Sequence, residues 1–154
     1  MDVTFHHFGI VVPDLEKASQ FYQRALGFVE QYRFSWTAEH SPIVEKVIGI
    51  ENSAAEAIML EGAGCHLELF EYSDPEPRGD PGTERPSDRG IAHLAFAFDD
   101  VDAAWERFTD AGGEMQNRPV QLGRSQAVYG RDPFGNIIEL MQLQDEGSSQ
   151  EPPA

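Results

Sequence analysis

The run His7-Phe8-Gly9-Ile10-Val11-Val12-Pro13-Asp14, continued by Leu15, Ala18, Tyr22 and Ala25, begins again at His93. From there it passes through Asp100, Val101, Ala104, Phe108 and Ala111 at the same spacings. A chain that repeats a histidine-bearing strand and a capped helix is constrained to build two copies of one unit. Each copy has its own local logic. Val11 and Val12 favour a strand, as do Phe96 and Phe98. Asp14 and Asp100 stand where a side-chain oxygen can cap the orphan amides of a following helix. Leu15, Ala18, Tyr22 and Leu26 recur at helical spacing and give one apolar face. Gly27 and Gly113 close the two segments, and Gly27 suits the left-handed residue just past a helix end.

Strand-like segments follow each helix, at about 28–35, 55–61 and 64–72, and again at about 115–121, 125–131 and 136–143. The order is therefore βαβββ twice, an α+β chain. Residues 73–89 carry Pro75, Pro77, Pro81 and Pro86 and read as the linker. The stretch 37–53 has no counterpart in the second copy and reads as an insertion, with a short helical turn around Ile43–Ile48. A length of 154 residues suits a single domain, expected over 1–143 with units at about 4–72 and 90–143. The polar end, 144–154, is expected to be disordered.

Composition narrows the function classes. The formal charge of −16, from 27 acidic against 11 basic residues, repels phosphate backbones and anionic membrane surfaces. Neither nucleic acid nor membrane is expected as a partner; a small molecule is. No apolar run approaches the roughly 20 residues of a membrane helix, and the start does not look like a signal peptide. The lone Cys65 cannot form an intramolecular disulfide and fits a reducing compartment, so a cytoplasmic protein is expected.

Strand alternation then sorts the side chains by face. Phe8, Ile10 and Val12 form the face that a helix would cover, which leaves His7 on the other beside Gly9. In the second copy Leu94, Phe96 and Phe98 form the bulky face, and His93 shares the other with Ala95 and Ala97. Leu67-Glu68-Leu69 ends the first unit and Ile138-Glu139-Leu140 the second. A glutamate in such an apolar strand is costly to bury unless it is paired or holds a cation. One such residue alone would be unremarkable, since strand histidines are usually hydrogen-bonded or solvated; His6, His40 and His66 are read that way, although His66 shares the face of Glu68. Four residues at equivalent places of a repeat form a candidate His₂Glu₂ metal set: His7, Glu68, His93 and Glu139.

These residues, with Phe21-Tyr22, Leu26-Gly27-Phe28, Gly90, and Asp132-Pro133-Phe134-Gly135-Asn136 leading into Ile138-Glu139-Leu140, give a chain that over about 4–143 resembles the vicinal oxygen chelate superfamily. Glyoxalase I, methylmalonyl-CoA epimerase, extradiol dioxygenases, fosfomycin-resistance enzymes and bleomycin-binding proteins belong to that superfamily. The resemblance implies an eight-stranded split barrel, commonly in a homodimer. It also implies metal ligands on the first and last strand of each unit, the places held by His7, Glu68, His93 and Glu139.

Two imidazoles and two carboxylates suit Zn, Ni, Co, Mn or Fe(II). The chemistry implied is of the glyoxalase I or epimerase type: vicinal substrate oxygens are chelated and an enediolate is stabilised while a proton leaves. Glu139 is the first candidate for the catalytic base and Glu68 the second. Val11 stands where glutathione-dependent relatives carry an arginine, and Glu56 lies one residue out of register with the second carboxylate of the coenzyme A epimerases. No basic and hydroxyl cluster for a phosphonate is evident. Two rival readings are an extradiol-type Fe(II) dioxygenase, which the extra carboxylate Glu68 disfavours, and a metal-free drug-binding protein of the bleomycin type, which the acidic charge favours. Trp36, Phe70, Tyr72 and Tyr129 are further pocket candidates, and Arg131 could meet an anionic substrate.

Overall fold

The computed structural model describes residues 2–40 and 42–144. The tail expected over 144–154 lies, beyond Gln144, outside the described residues. The chain divides into two compact units, Met1–Gln23 with Gly27–Gly79, and Arg24–Leu26 with the chain from Asp80 onward.

The first runs β1 (His7–Val11), α1 (Leu15–Leu26), β2 (Val29–Trp36), α2 (Pro42–Ile48), β3 (Ala54–Gly62) and β4 (Cys65–Asp74). Its sheet has the order β1-β4-β3-β2, with β1 parallel to β4 and the other neighbours antiparallel. The second runs β5 (Leu94–Ala97), α3 (Val101–Asp110), β6 (Glu114–Met115), β7 (Val120–Leu122), β8 (Ser125–Arg131) and β9 (Ile137–Leu143). Here the order is β5-β9-β8-β6, β7 also pairs with β8, and β5 is parallel to β9. The parallel pairing of first and last strand occurs in both units, and it is this pairing that brings a unit's histidine beside its glutamate.

The caps are where the sequence places them. Asp14 Oδ1 accepts from Lys17 N and Asp100 Oδ1 from Ala103 N, both at 2.9 Å. Gly27 ends α1 with φ of 74°, its N–H donating to the Gln23 carbonyl. Leu15, Ala18, Tyr22 and Ala25 are buried. Leu15 N donates to Glu71 Oε2 at 2.8 Å and Arg33 pairs with Glu16, so α1 lies over the sheet face bearing Glu71 and Arg33. Ile58, Leu60, Leu67 and Leu69 on that face are completely buried, each contributing roughly 2 kcal/mol of transfer free energy. In the second unit Val101, Ala104 and Phe108 of α3 are buried in the same way, together with Ile138 and Leu140.

Two local expectations are corrected. The strand expected over 115–121 is broken into β6 and β7. Pro119 has no N–H to give a ladder, and the Asn117 carbonyl instead accepts from Trp105 Nε1 at 2.7 Å. The second glycine of the repeat also works differently. Gly112, not Gly113, takes the positive φ, at 104°. At Gly113 a Cβ would fall 2.1 Å from the Phe108 ring, so that position is kept bare by packing rather than by backbone conformation.

Candidate metal site

Register determines which residues share a face with the histidines. In the β1–β4 ladder Gly9 lies opposite Glu68, and in the β5–β9 ladder Ala95 lies opposite Glu139. Each of these small residues stands two positions after a histidine. The small residue leaves the histidine free to lie alongside the glutamate, and at Gly9 it also admits the Phe70 ring. His7 Nε2 is 3.2 Å from Glu68 Oε2, and His93 Nε2 is 3.1 Å from Glu139 Oε2. Both glutamates are 16% exposed as side chains.

Within each unit the distance fits a direct His–Glu hydrogen bond and equally two ligands of a shared ion. Nitrogen and oxygen donors about 2.1 Å from an ion, at angles between octahedral and tetrahedral, lie about 3.0–3.4 Å from each other. Each unit thus holds half of the expected His₂Glu₂ set. Among the described residues, no group of three or more His, Cys, Asp or Glu side chains is gathered for a metal.

The other nitrogen of each ring is engaged as well. His6 Nδ1 is 2.7 Å from His7 Nδ1, and the His6 ring stacks on His66 with centroids 4.9 Å apart. In the second unit Tyr129 lies against His93, centroids 4.8 Å apart, its hydroxyl nearer Nδ1 (3.3 Å) than Nε2 (3.5 Å). Partners on Nδ1 hold an imidazole so that Nε2 presents its lone pair. The Tyr129 phenol is pushed up by burial and then by the charge of Glu139; Tyr72 is pushed up by burial and then by Glu68.

The pocket candidates divide. Phe70, Tyr72 and Trp36 share the face of His7 and Glu68, as do Tyr32 and Phe34, which the sequence reading passed over. Their alternation with Arg33 and Ser35 was the available signal. Glu56 pairs across from Glu71 and Ser35 and so lies on the opposite, helix-covered face, away from Glu68. Arg131 is on the face of Glu139 but is committed to the backbone: it donates to the carbonyls of Pro81 (2.9 Å), Glu84 and Gly135. It clasps the turn at 81–84 rather than facing outward for an anion. Asp132, 3% exposed, accepts from the amides of Phe134 and Asn136 and from Asn136 Nδ2, and so folds the turn that delivers β9 and Glu139.

Residues 4–140 match the family model described as the Glyoxalase/Bleomycin resistance protein/Dioxygenase superfamily. The chain belongs to this superfamily. Among its relatives within the superfamily, a 2-epi-5-epi-valiolone epimerase from an Actinomyces species is 32% identical over 150 residues, covering 92% of this chain and 80% of that one. A glyoxalase family protein of Bacillus cereus superposes with a TM-score of 0.82 at 22% identity, over 94% of this chain and 96% of that one. A variant of the fosfomycin resistance protein FosX of Listeria monocytogenes, complexed with Mn(II) and 1S,2S-dihydroxypropylphosphonic acid, superposes with a TM-score of 0.60 at 24% identity, over 91% and 89% of the two chains. These likenesses agree with the mixed α+β architecture of two sheets. No helix among the described residues is long and apolar enough to cross a membrane.

Proposed function

We propose that this member of the superfamily is a divalent-metal-dependent isomerase or lyase of the glyoxalase I type, in which His7, Glu68, His93 and Glu139 hold one ion. The observation that carries the reading is the twice-repeated His–Glu pair, at 3.2 and 3.1 Å, in equivalent places of the two units. In the same reading the two sheets are halves of one eight-stranded split barrel, and the protein is a cytoplasmic homodimer with a single domain over 1–143. An epimerase among its relatives and a Mn(II) complex among its structural neighbours support the metal-assisted isomerase class. The set suits Zn, Ni, Co, Mn or Fe(II).

When bound, the ion supplies Lewis-acid polarisation of vicinal substrate oxygens, which acidifies the adjoining C–H. The chain's own groups do the rest. His7 and His93 bring Nε2 to the glutamates; His6 steadies the His7 ring through Nδ1 and the Tyr129 ring packs against His93. Glu139 takes the substrate proton and, for an epimerase, Glu68 stands as the alternative carboxylate for the opposite face. Apolar strands around both carboxylates limit water at the site.

Elemental analysis of untagged protein tests this directly. One divalent ion per chain is expected, with loss in His7→Ala and in His93→Ala. Wild-type protein that neither contains nor takes up a metal defeats the reading in favour of a metal-free binding protein. Oxygen uptake with a catechol in place of proton exchange would establish the dioxygenase instead.

A further inference from the structure

The sheet face that carries His7 and Glu68 is otherwise a wall of aromatic rings. Across β2, β3 and β4, Tyr32 is level with Met59 and Glu68, Phe34 with Ala57 and Phe70, and Trp36 with Ala55 and Tyr72. The alanines of the middle strand leave room for the rings on either side to meet over them. Phe70 stands edge-on to Phe34 at 6.4 Å and to Trp36 at 6.2 Å, and Trp36 meets Tyr72 at 5.7 Å. The indole N–H is already satisfied by Ser53 Oγ at 3.0 Å, and the Trp36 ring, itself buried, backs the wall and fixes the rings in front of it. Phe34 remains 37% exposed and Tyr32 53%. Gly9, opposite Glu68 in the ladder, lets the Phe70 ring lie close over β1, where a Cβ would already touch it at 3.4 Å.

Charge is as informative as shape. Among the described residues no lysine or arginine stands on this face: Arg33 projects from the other side of β2 and is paired with Glu16 and Glu30. On the corresponding face of the second sheet, among the described residues, Arg131 is taken up by three backbone carbonyls. An anionic substrate would find, apart from the ion itself, no free lysine or arginine among the described residues of either face, within a protein of formal charge −16.

Resting on the metal-dependent reading above, we propose that the Phe34–Trp36–Phe70–Tyr72 wall is the substrate surface, and that it takes an uncharged ring bearing a hydroxycarbonyl group. The C–H face of such a ring lies on the aromatic wall while the vicinal oxygens at its edge turn toward the His–Glu set. Phosphate esters, coenzyme A thioesters and glutathione adducts are disfavoured. The position of the rings on the face of His7 and Glu68 is what distinguishes this from a protein-docking face: a partner seated on them would seal Glu68 from any substrate.

The test is proton exchange in D₂O, followed by NMR, on the full-length metal-loaded protein. Uncharged cyclic hydroxyketones (scyllo-inosose, 2-hydroxycyclohexanone) are compared with the anionic hydroxyketone dihydroxyacetone phosphate. Exchange is expected with the neutral rings at a kcat/KM at least about tenfold above that with the phosphate, the size of effect one charge-assisted contact carries. Phe34→Ala should raise KM for the ring about tenfold while kcat and metal content hold, and Phe34→Tyr should restore it. Equal or faster exchange with the phosphate overturns the proposal, as does a Phe34→Ala protein that loses its oligomeric state with KM unchanged. If the protein binds no metal, the functional reading fails separately. The wall is then judged by calorimetric binding of the same rings to wild type and Phe34→Ala: binding weakened by the substitution upholds it, and no binding to wild type overturns it.

Discussion

The Nδ1 atoms of His6 and His7 lie 2.7 Å apart, a hydrogen-bond distance between two neighbouring rings. Successive residues of a strand normally point to opposite faces, but His6 precedes the first residue of β1 and its ring turns to stack on His66. With Nδ1 so engaged, His7 has Nε2 left for a cation. Replacing His6 by Ala is expected to weaken divalent-metal affinity about tenfold or more, the usual effect of losing a partner that orients a ligand. His6→Asn, whose amide oxygen can accept the same proton, should retain most of it. Chelator competition measures both, and a fall of equal size in the two variants would remove His6 from this role.

The two glutamates should part company under substitution. Glu139→Gln keeps an oxygen donor and is expected to hold much of the metal, yet turnover should drop by about two to four orders of magnitude, as when a general base is lost. Glu68→Gln should be milder. Steady-state kinetics on metal-loaded variants decide the matter, and the reverse ranking assigns the base to the first unit.

Arg131 contributes to stability rather than to binding. Its donors satisfy the carbonyls of Pro81, Glu84 and Gly135. Arg131→Ala is expected to cost about 2–3 kcal/mol, in the range for hydrogen bonds to a charged group, and to lower the midpoint of urea unfolding. Arg131→Lys should recover only part of this, because an ammonium lacks the planar fork. An unchanged midpoint in Arg131→Ala would show that the clasp contributes nothing.

Burial pushes the Cys65 thiol above its ordinary value. The folded chain therefore keeps this proton longer than the unfolded chain does. The resulting stabilisation is full below the unfolded thiol value, about 8.5, and fades as pH rises through the folded one. Near pH 8 iodoacetamide should alkylate Cys65 more slowly in native protein than in urea, and the gap should narrow as pH is raised. Equal rates at pH 8 would contradict the shift.

What the sequence by itself determined is whatever depends on near neighbours and on a repeat. The capping of α1 and α3 by Asp14 and Asp100 follows from side chains three residues from the amides they serve. The split of Phe8 and Ile10 from His7 and Gly9 follows from the period of a strand. The pairing of His7 with Glu68, and of His93 with Glu139, was legible only because each unit repeats the other.

Features that depend on register or on distant contacts were decided by tertiary structure. Glu56 turns on register, since one residue moves a side chain to the other face of a sheet; its pairing with Glu71 assigns it to the helix side. Gly113 reads as a helix terminator by its place in the repeat, yet the approach of the Phe108 ring, not φ, keeps it glycine. Arg131 looks available to an anion until a turn at 81–84, remote in sequence, supplies the carbonyls that hold it. Tyr32 and Phe34 share one side of β2 by local alternation, but the side of the sheet they join is set by the register of β2 on β3, a contact between residues far apart in the chain.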